Sequence, residues 1–207
     1  MKTLGFIGMG NMGQAMLKGC LNVFKAEELV FTALLEEECR AVSEKTGVGY
    51  VMDAAACAAD VKYLVLAIKP QVYPEILKTL SGKIRRDQIV ISIAPSYSIA
   101  QVKEGLGGEV RVVRAMPNTP AMVGEGMSGV CFSGDIYSDE EVFGKKFPEF
   151  IKVLSSNDED YLKTFDNGIG AGIVFKHPCF HYDKEIFKEW DCGYILGTIL
   201  IMKDIKN

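Results

Sequence analysis

Short apolar runs alternate with segments of helical period from the start of the chain to Met116. Residues 2 to 7 (Lys-Thr-Leu-Gly-Phe-Ile) form the first run, and Gly8-Met9-Gly10-Asn11-Met12-Gly13 follows directly. Apolar positions then recur at Met12, Ala15, Met16, Gly19, Cys20 and Val23, which predicts a buried strand, a glycine turn and an amphipathic helix. The alternation continues with a strand over Leu29 to Thr32, a helix over Glu36 to Lys45 and a strand over Gly49 to Met52. A short alanine-rich helix near Ala54 to Ala59 leads into the strongly apolar strand Tyr63 to Ile68. A helix from Gln71 to Leu80, a buried strand from Gln88 to Ile93, a helix from Ile99 to Leu106 and a strand from Val110 to Met116 complete the series. Helices alternating with short apolar strands make βαβ units, so the pattern predicts an α/β fold whose six strands complete a doubly wound, mainly parallel sheet.

Beyond Met116-Pro117-Asn118-Thr119-Pro120, the glycine-punctuated segment Gly124 to Phe132 has room for one or two further strands. Asp139 to Leu154 reads as a helix, with Ser138 as N-cap and Glu141 three residues later completing a capping box. From Ser155 the character changes. Residues 155 to 207 mix aromatics, both histidines and the single tryptophan with little sustained periodicity. The expected organisation is a first domain over 1–155 and a short atypical segment over 156–207.

Composition narrows the class. The chain has 207 residues, 48% hydrophobic and 24% charged, which suits a globular protein with a sizeable core. A net charge of −4 with no clustered Lys/Arg stripe supplies no footprint for gripping phosphates, so nucleic acid is not expected as a partner. No apolar stretch reaches the roughly 18 residues of a membrane span. Met1-Lys2-Thr3 runs straight into an apolar strand without the charged region and cleavage site of a signal peptide, and a cytoplasmic protein is expected. Cys20, Cys39, Cys57, Cys131, Cys179 and Cys192 are scattered with no Cys-x-x-Cys pair, as befits reduced, partly buried thiols.

Three elements carry chemistry. Gly8-x-Gly10-x-x-Gly13 sits between a strand and a helix, where Gly8 allows a tight turn, Gly10 lets a pyrophosphate approach the backbone and Gly13 lets helix and strand pack closely. The helix N-terminus adds unpaired N–H groups and a partial positive charge. This context points to dinucleotide binding in a Rossmann-type domain rather than to a merely structural turn. Ala67-Ile68-Lys69-Pro70 lies at the end of the fourth strand, beside the switch point where ligands of open α/β sheets bind. Lys69 reads equally as a cofactor contact and as a solvated strand-end lysine ahead of a proline stop. The third is Met116-Pro117-Asn118-Thr119-Pro120, a loop fixed by two prolines, whose Asn118 and Thr119 side chains suit either a ligand or ordinary turn chemistry.

Together these elements resemble the pyrroline-5-carboxylate reductase family. The resemblance rests on Gly5-Phe6-Ile7-Gly8-Met9-Gly10-Asn11-Met12-Gly13, Ala67-Ile68-Lys69-Pro70-Gln71-Val72, Ser92-Ile93-Ala94 and Val113-Arg114-Ala115-Met116-Pro117-Asn118-Thr119-Pro120. It covers roughly residues 1 to 155, and the run from Arg114 to Gly126 is its most specific part. It implies reduction of the C=N bond of a five-membered cyclic imine, 1-pyrroline-5-carboxylate, to proline by hydride transfer from NADP(H), with NAD(H) as the other candidate. It also implies that Ile7, Gly8, Met9, Gly10, Asn11 and Met12 hold the pyrophosphate. Ala67, Ile68, Lys69 and Pro70 would line the cofactor channel, with Ala94 and Asn118 toward the nicotinamide. No catalytic side chain and no metal ligand is carried over.

The sequence departs from the family in two places. After the second strand it has Thr32-Ala33-Leu34-Leu35 and then Glu36, Glu37 and Glu38, which would repel a 2′-phosphate, while Arg40 would attract one. Ala54 stands where the family commonly has Asn. The larger departure is the tail. Family members continue into a helical domain that builds the dimer and the substrate pocket, opening with Ser-Gly-Ser-Gly-Pro-Ala-Tyr and later carrying Gly-Gly-Thr-Thr. Here Asn167-Gly168-Ile169-Gly170-Ala171-Gly172-Ile173-Val174-Phe175 occupies the first place, and nothing matches the second. The tail reads as degenerate, truncated or frame-shifted, with the family's homo-oligomer interface not intact.

Within the tail, His177, Cys179, His181 and Asp183 alternate, but their spacing matches no common zinc pattern. Gly168-x-Gly170-x-Gly172 reads as a loop, and Ile195 to Met202 as a buried or partner-covered segment. Two alternatives to the reductase stand beside it. One is a non-catalytic NAD(P)-binding module or remnant. The other is a reductase of the related β-hydroxyacid or F420-dependent type, which predicts a different loop from Pro117-Asn118-Thr119-Pro120.

Overall fold

The computed structural model describes residues 1–117, 128–133, 135, 162–166 and 171–175, the strands after 117 by their backbone. Strand β1 (Lys2–Ile7) pairs in parallel with β2 (Leu29–Thr32) on one side and β4 (Val61–Leu66) on the other. β3 (Gly49–Tyr50) extends the sheet beyond β2, while β5 (Ile89–Ser92) and β6 (Arg111–Pro117) extend it beyond β4. The order β3-β2-β1-β4-β5-β6 is the doubly wound arrangement expected from the alternating pattern. Three antiparallel strands continue it: β7 (Ser128–Phe132), β9 (Ala171–Phe175) and β8 (Leu162–Asp166), in the order β7-β9-β8.

Among the described residues, the glycine-punctuated segment after the prolines thus supplies strand β7. Gly172, expected in a loop, lies in β9 opposite Cys131 and Phe165. A glycine count alone overstates looseness when Ile173, Val174 and Phe175 directly follow and favour extended backbone. The helix expected over 139–154, the Ser138 cap, the His177 to Asp183 run and Ile195 to Met202 all lie outside the described residues.

Alternation within the strands divides the core into two layers. Leu4, Phe6, Tyr63, Val65, Ile89 and Ile91 face α1 (Asn11–Cys20) and α2 (Glu36–Thr46), which contribute Met16, Leu17, Cys20, Cys39 and Val42. Ile7, Leu64, Leu66 and Val90 face α3 (Ala54–Ala59), α4 (Tyr73–Leu80) and α5 (Ile99–Leu106), which contribute Cys57, Ala58, Leu77, Leu80, Val102 and Leu106. Each large aliphatic side chain buried this way stabilises the fold by about 1.5–3 kcal/mol. The helices have local start signals as well. Asp53 caps α3 by accepting from the Ala56 amide at 2.7 Å, and Ser98 and Gln101 form a reciprocal capping box on α5.

The strand boundaries differ from the expected ones by one or two residues, for identifiable reasons. β4 ends at Leu66 because Ala67 and Ile68 turn toward the glycine loop. Gln88 precedes β5 because its groups serve the opposite edge. Its buried Nε2 donates to the Ala58 and Val61 carbonyls, both at 2.7 Å, and its Oε1 accepts from the Arg85 amide at 2.7 Å. It therefore joins the end of α3, the start of β4 and the turn before β5.

Candidate functional site

The winding reverses between β1 and β4, so the turns after these two strands lie side by side at the carboxyl edge of the sheet. Backbone hydrogen bonds fasten three strand ends there. Gly8 donates to the Thr32 carbonyl at the end of β2, and Ala67 donates to the Ile7 carbonyl at the end of β1, both at 2.8 Å.

The three glycines of the turn meet different surroundings. Gly8 has φ +99°, and a methyl carbon built on it would lie 2.6 Å from the Ala67 carbonyl oxygen and 2.8 Å from Ile68 Cγ2. Both the left-handed backbone and the contact exclude a side chain. On Gly13, in the first turn of α1, the same methyl would lie 2.4 Å from the Gly8 carbonyl oxygen. On Gly10 it would meet nothing within 4 Å. The first and third glycines therefore bring the helix onto the strand turns, and the second opens the backbone to an incoming group.

Gly10 is the N-cap of α1 with no side-chain cap bond, and the first turn carries no acidic residue. The first intrahelical bond runs from the Gln14 amide to the Gly10 carbonyl at 2.9 Å, leaving the amides of Asn11, Met12 and Gly13 without a partner in the helix. These donors and the partial positive charge of the helix end suit an anion. Gln14 Nε2 donates to the Met9 carbonyl at 2.8 Å and holds the turn in shape.

The other expected site residues divide by exposure. Ile7 and Met9 are buried, so they offer a ligand backbone rather than side chain, whereas Gly10 and Asn11 are exposed and Met12 is half-buried. Ala67, Ile68 and Pro70 are half-buried beside the glycine turn, and Lys69 is exposed. Ala94 is buried just beyond β5, on the same edge. Asn118 lies outside the described residues, although β6 delivers the chain to that edge as far as Pro117.

Two residues that periodicity did not single out organise the edge. Tyr73 is fully buried. Its hydroxyl donates to the Leu66 carbonyl at 2.9 Å and shares a hydrogen bond with Ser92 Oγ at 3.0 Å, and its ring stacks on Tyr97 with centroids 4.5 Å apart. It thereby links the ends of β4 and β5 to the loop that carries Ala94. Burial pushes its phenol above the usual tyrosine range, so it stays protonated. Arg114, opposite Ser92 in the sheet, donates to the Pro95 carbonyl at 2.7 Å and holds the same loop. The available signal for Tyr73 was an aromatic three residues after Pro70, at the start of a helix. Arg114 is a charged residue inside an apolar strand, which demands a partner.

Beyond β2, Leu34 is 90% exposed, Leu35, Glu36, Glu37 and Glu38 are exposed, and Arg40 is hydrogen-bonded to Glu36 at 3.1 Å. Among the described residues, Cys20, Cys39 and Cys57 are buried free thiols, and burial pushes Cys20 and Cys57 up to about 12. None belongs to the site. No described helix is long and apolar enough to cross a membrane.

A doubly wound sheet with a glycine turn of this geometry at its switch point defines a Rossmann-type dinucleotide-binding fold. The family described as NADP oxidoreductase, coenzyme F420-dependent, matches residues 3–96. Pyrroline-5-carboxylate reductase of Staphylococcus aureus (strain COL) is 33% identical over 212 aligned positions, covering 94% of this chain and 77% of that protein. The Escherichia coli (strain K12) enzyme of the same name is 33% identical over 132 residues, 62% of this chain, and the match spans about half (49%) of that protein. Among solved structures, a pyrroline-5-carboxylate reductase from Coxiella burnetii superposes with a TM-score of 0.64 at 26% identity, covering 74% of this chain and 57% of that one. Pyrroline carboxylate reductase of Plasmodium falciparum, solved with NADP bound, gives 0.63 at 26% identity, covering 74% and 56%. The chain belongs to the pyrroline-5-carboxylate reductase family.

Proposed function

We propose that the chain binds a reduced nicotinamide dinucleotide across the carboxyl edge of the sheet and reduces 1-pyrroline-5-carboxylate to proline. The observation that carries this reading is the contrast among the glycines: close backbone approach at Gly8 and Gly13, and open space at Gly10 beside amides that have no partner in the helix. The pyrophosphate is held by the backbone from Ile7 to Met12, with Ala67 to Pro70 forming the neighbouring wall and Ala94 and Asn118 nearest the nicotinamide. When bound, the reduced nicotinamide supplies the hydride that adds to the imine carbon. The chain's part is positional. Tyr73 and Arg114 hold the loop after β5 at a fixed distance from the glycine turn, so that the ring is presented in one orientation.

In this reading residues 1–155 form the cofactor domain and 156–207 correspond to a remnant of the substrate and dimer domain, and the protein acts in the cytoplasm. The Plasmodium falciparum relative is solved with NADP bound, so NADP(H) is the cofactor that relatives point to, with NAD(H) the alternative that this chain's own residues must decide. A second reading is a dinucleotide-binding module without catalysis. It is favoured by strands β8 and β9 in the place where the family resemblance implies a helical domain. One experiment separates the two: fluorescence titration with NADH and NADPH, followed by addition of 1-pyrroline-5-carboxylate. Binding with cofactor oxidation supports the reductase, binding without oxidation supports the module, and no binding overturns both.

A further inference from the structure

We infer that the adenosine end of the site selects NAD(H) and rejects the 2′-phosphate of NADP(H), an inference that rests on the dinucleotide reading above. In a sheet of this winding the adenosine ribose lies over the end of the second strand, and the residues that follow that strand decide between a hydroxyl and a phosphate. The Gly8 amide bonded to the Thr32 carbonyl fixes the end of β2 beside the phosphate turn. A dinucleotide seated on Gly10 and α1 therefore brings its ribose to Ala33, Leu34, Leu35 and the first turn of α2.

Nothing in that stretch recognises a phosphate. Ala33, Leu34 and Leu35 have no side-chain donor, and Leu34 is 90% exposed. Glu36, Glu37 and Glu38 fill the first turn of α2, where their carboxylates oppose the anion attraction that a helix N-terminus otherwise offers. Asp53, the N-cap after β3, adds a fourth carboxylate on the neighbouring strand end. Against these stands Arg40, whose guanidinium is already hydrogen-bonded to Glu36. That surface pair is weak and costs little to break. Breaking it frees Glu36 as well, so the local balance stays negative. Lys69 follows β4, on the other side of β1 from this stretch. A ribose diol, by contrast, finds carboxylate acceptors here.

The test is equilibrium titration of the full chain with NADH and with NADPH, read by nicotinamide fluorescence at low and at high salt. The expected result is NADH binding tighter by roughly tenfold or more, the equivalent of about 1.4 kcal/mol, with the gap narrowing as salt screens the repulsion. A triple variant, Glu36→Gln with Glu37→Gln and Glu38→Gln, should strengthen NADPH binding roughly three- to tenfold and weaken NADH binding, which loses its carboxylate acceptors, so that the gap between the two nucleotides closes. Equal affinities, or tighter NADPH, would overturn the selectivity and leave the dinucleotide site standing. Failure of both nucleotides to bind would overturn the selectivity and the site together.

Discussion

Replacing Gly10 and Gly13 separately by alanine distinguishes a glycine needed for a ligand from one needed for folding. At Gly10 the added methyl meets no atom of the protein within 4 Å, and the backbone (φ −67°, ψ −174°) is one that alanine adopts freely. Gly10→Ala should therefore leave stability within about 0.5 kcal/mol. The methyl does project into the space that a pyrophosphate needs in order to reach the amides of Asn11 and Met12. Losing one charge-assisted hydrogen bond there costs about 1.5–3 kcal/mol, a roughly ten- to hundredfold weaker dinucleotide complex. At Gly13 the methyl lies 2.4 Å from the Gly8 carbonyl oxygen, a backbone atom that cannot swing aside. Overpacking of this kind costs about 1–3 kcal/mol, partly offset by the roughly 1 kcal/mol of helix propensity that alanine gains over glycine. Gly13→Ala should thus lower both urea stability and affinity. Paired urea melts and fluorescence titrations of the two variants decide the matter. Undiminished affinity in a folded Gly10→Ala protein would refute the pyrophosphate's place, and a stability loss above about 2 kcal/mol in that variant would refute the open space.

Gly8→Ala combines a left-handed backbone with a 2.6 Å contact to the Ala67 carbonyl, and should cost about 3 kcal/mol or more in urea unfolding. Gln88→Leu strips partners from the Ala58 and Val61 carbonyls and the Arg85 amide, and a loss of about 2–4 kcal/mol is expected by the same measurement. Tyr73→Phe should lose about 1–3 kcal/mol and loosen the loop after β5, visible as faster amide exchange at Tyr97. For Cys20 and Cys57 the folded pKa is raised from 9.0 to about 12, so the native state holds these protons more tightly than the unfolded chain. Their contribution is fully present below pH 9 and is lost as pH rises from there toward 12, at up to about 1.4 kcal/mol per pH unit for each thiol. Denaturant melts at stepwise alkaline pH check this, and a flat profile above pH 9 would contradict the burial of both thiols.

Much of the fold was legible because βαβ architecture writes itself in local signals. The apolar run Tyr63 to Ile68 marked the central strand, found two residues earlier at Val61–Leu66, and the expected helices begin at Asp53 and Ser98, whose side chains do the capping. The glycine turn was legible for the same reason, since each of its glycines answers a backbone constraint. What escaped depends on partners distant in sequence. Tyr73 looks like one more helical aromatic until the ends of β4 and β5 arrive beside its hydroxyl. Arg114 acquires its role only when the Pro95 carbonyl is brought to it. The antiparallel extension was half visible. β7 lies in a segment with room for a strand, whereas Leu162 to Asp166 mixes charged and apolar residues and Ala171 to Phe175 follows closely spaced glycines, so periodicity does not mark them.

The dinucleotide's location is tested most directly by two-dimensional amide NMR of the isotope-labelled chain during addition of NADH. Shifts concentrated at Gly8, Gly10, Asn11, Met12, Ala67, Ile68 and Lys69, with the amides around Gln88 at the opposite edge unmoved, are the expected result. Shifts centred elsewhere, or none at saturating nucleotide, would contradict a cofactor site at the carboxyl edge.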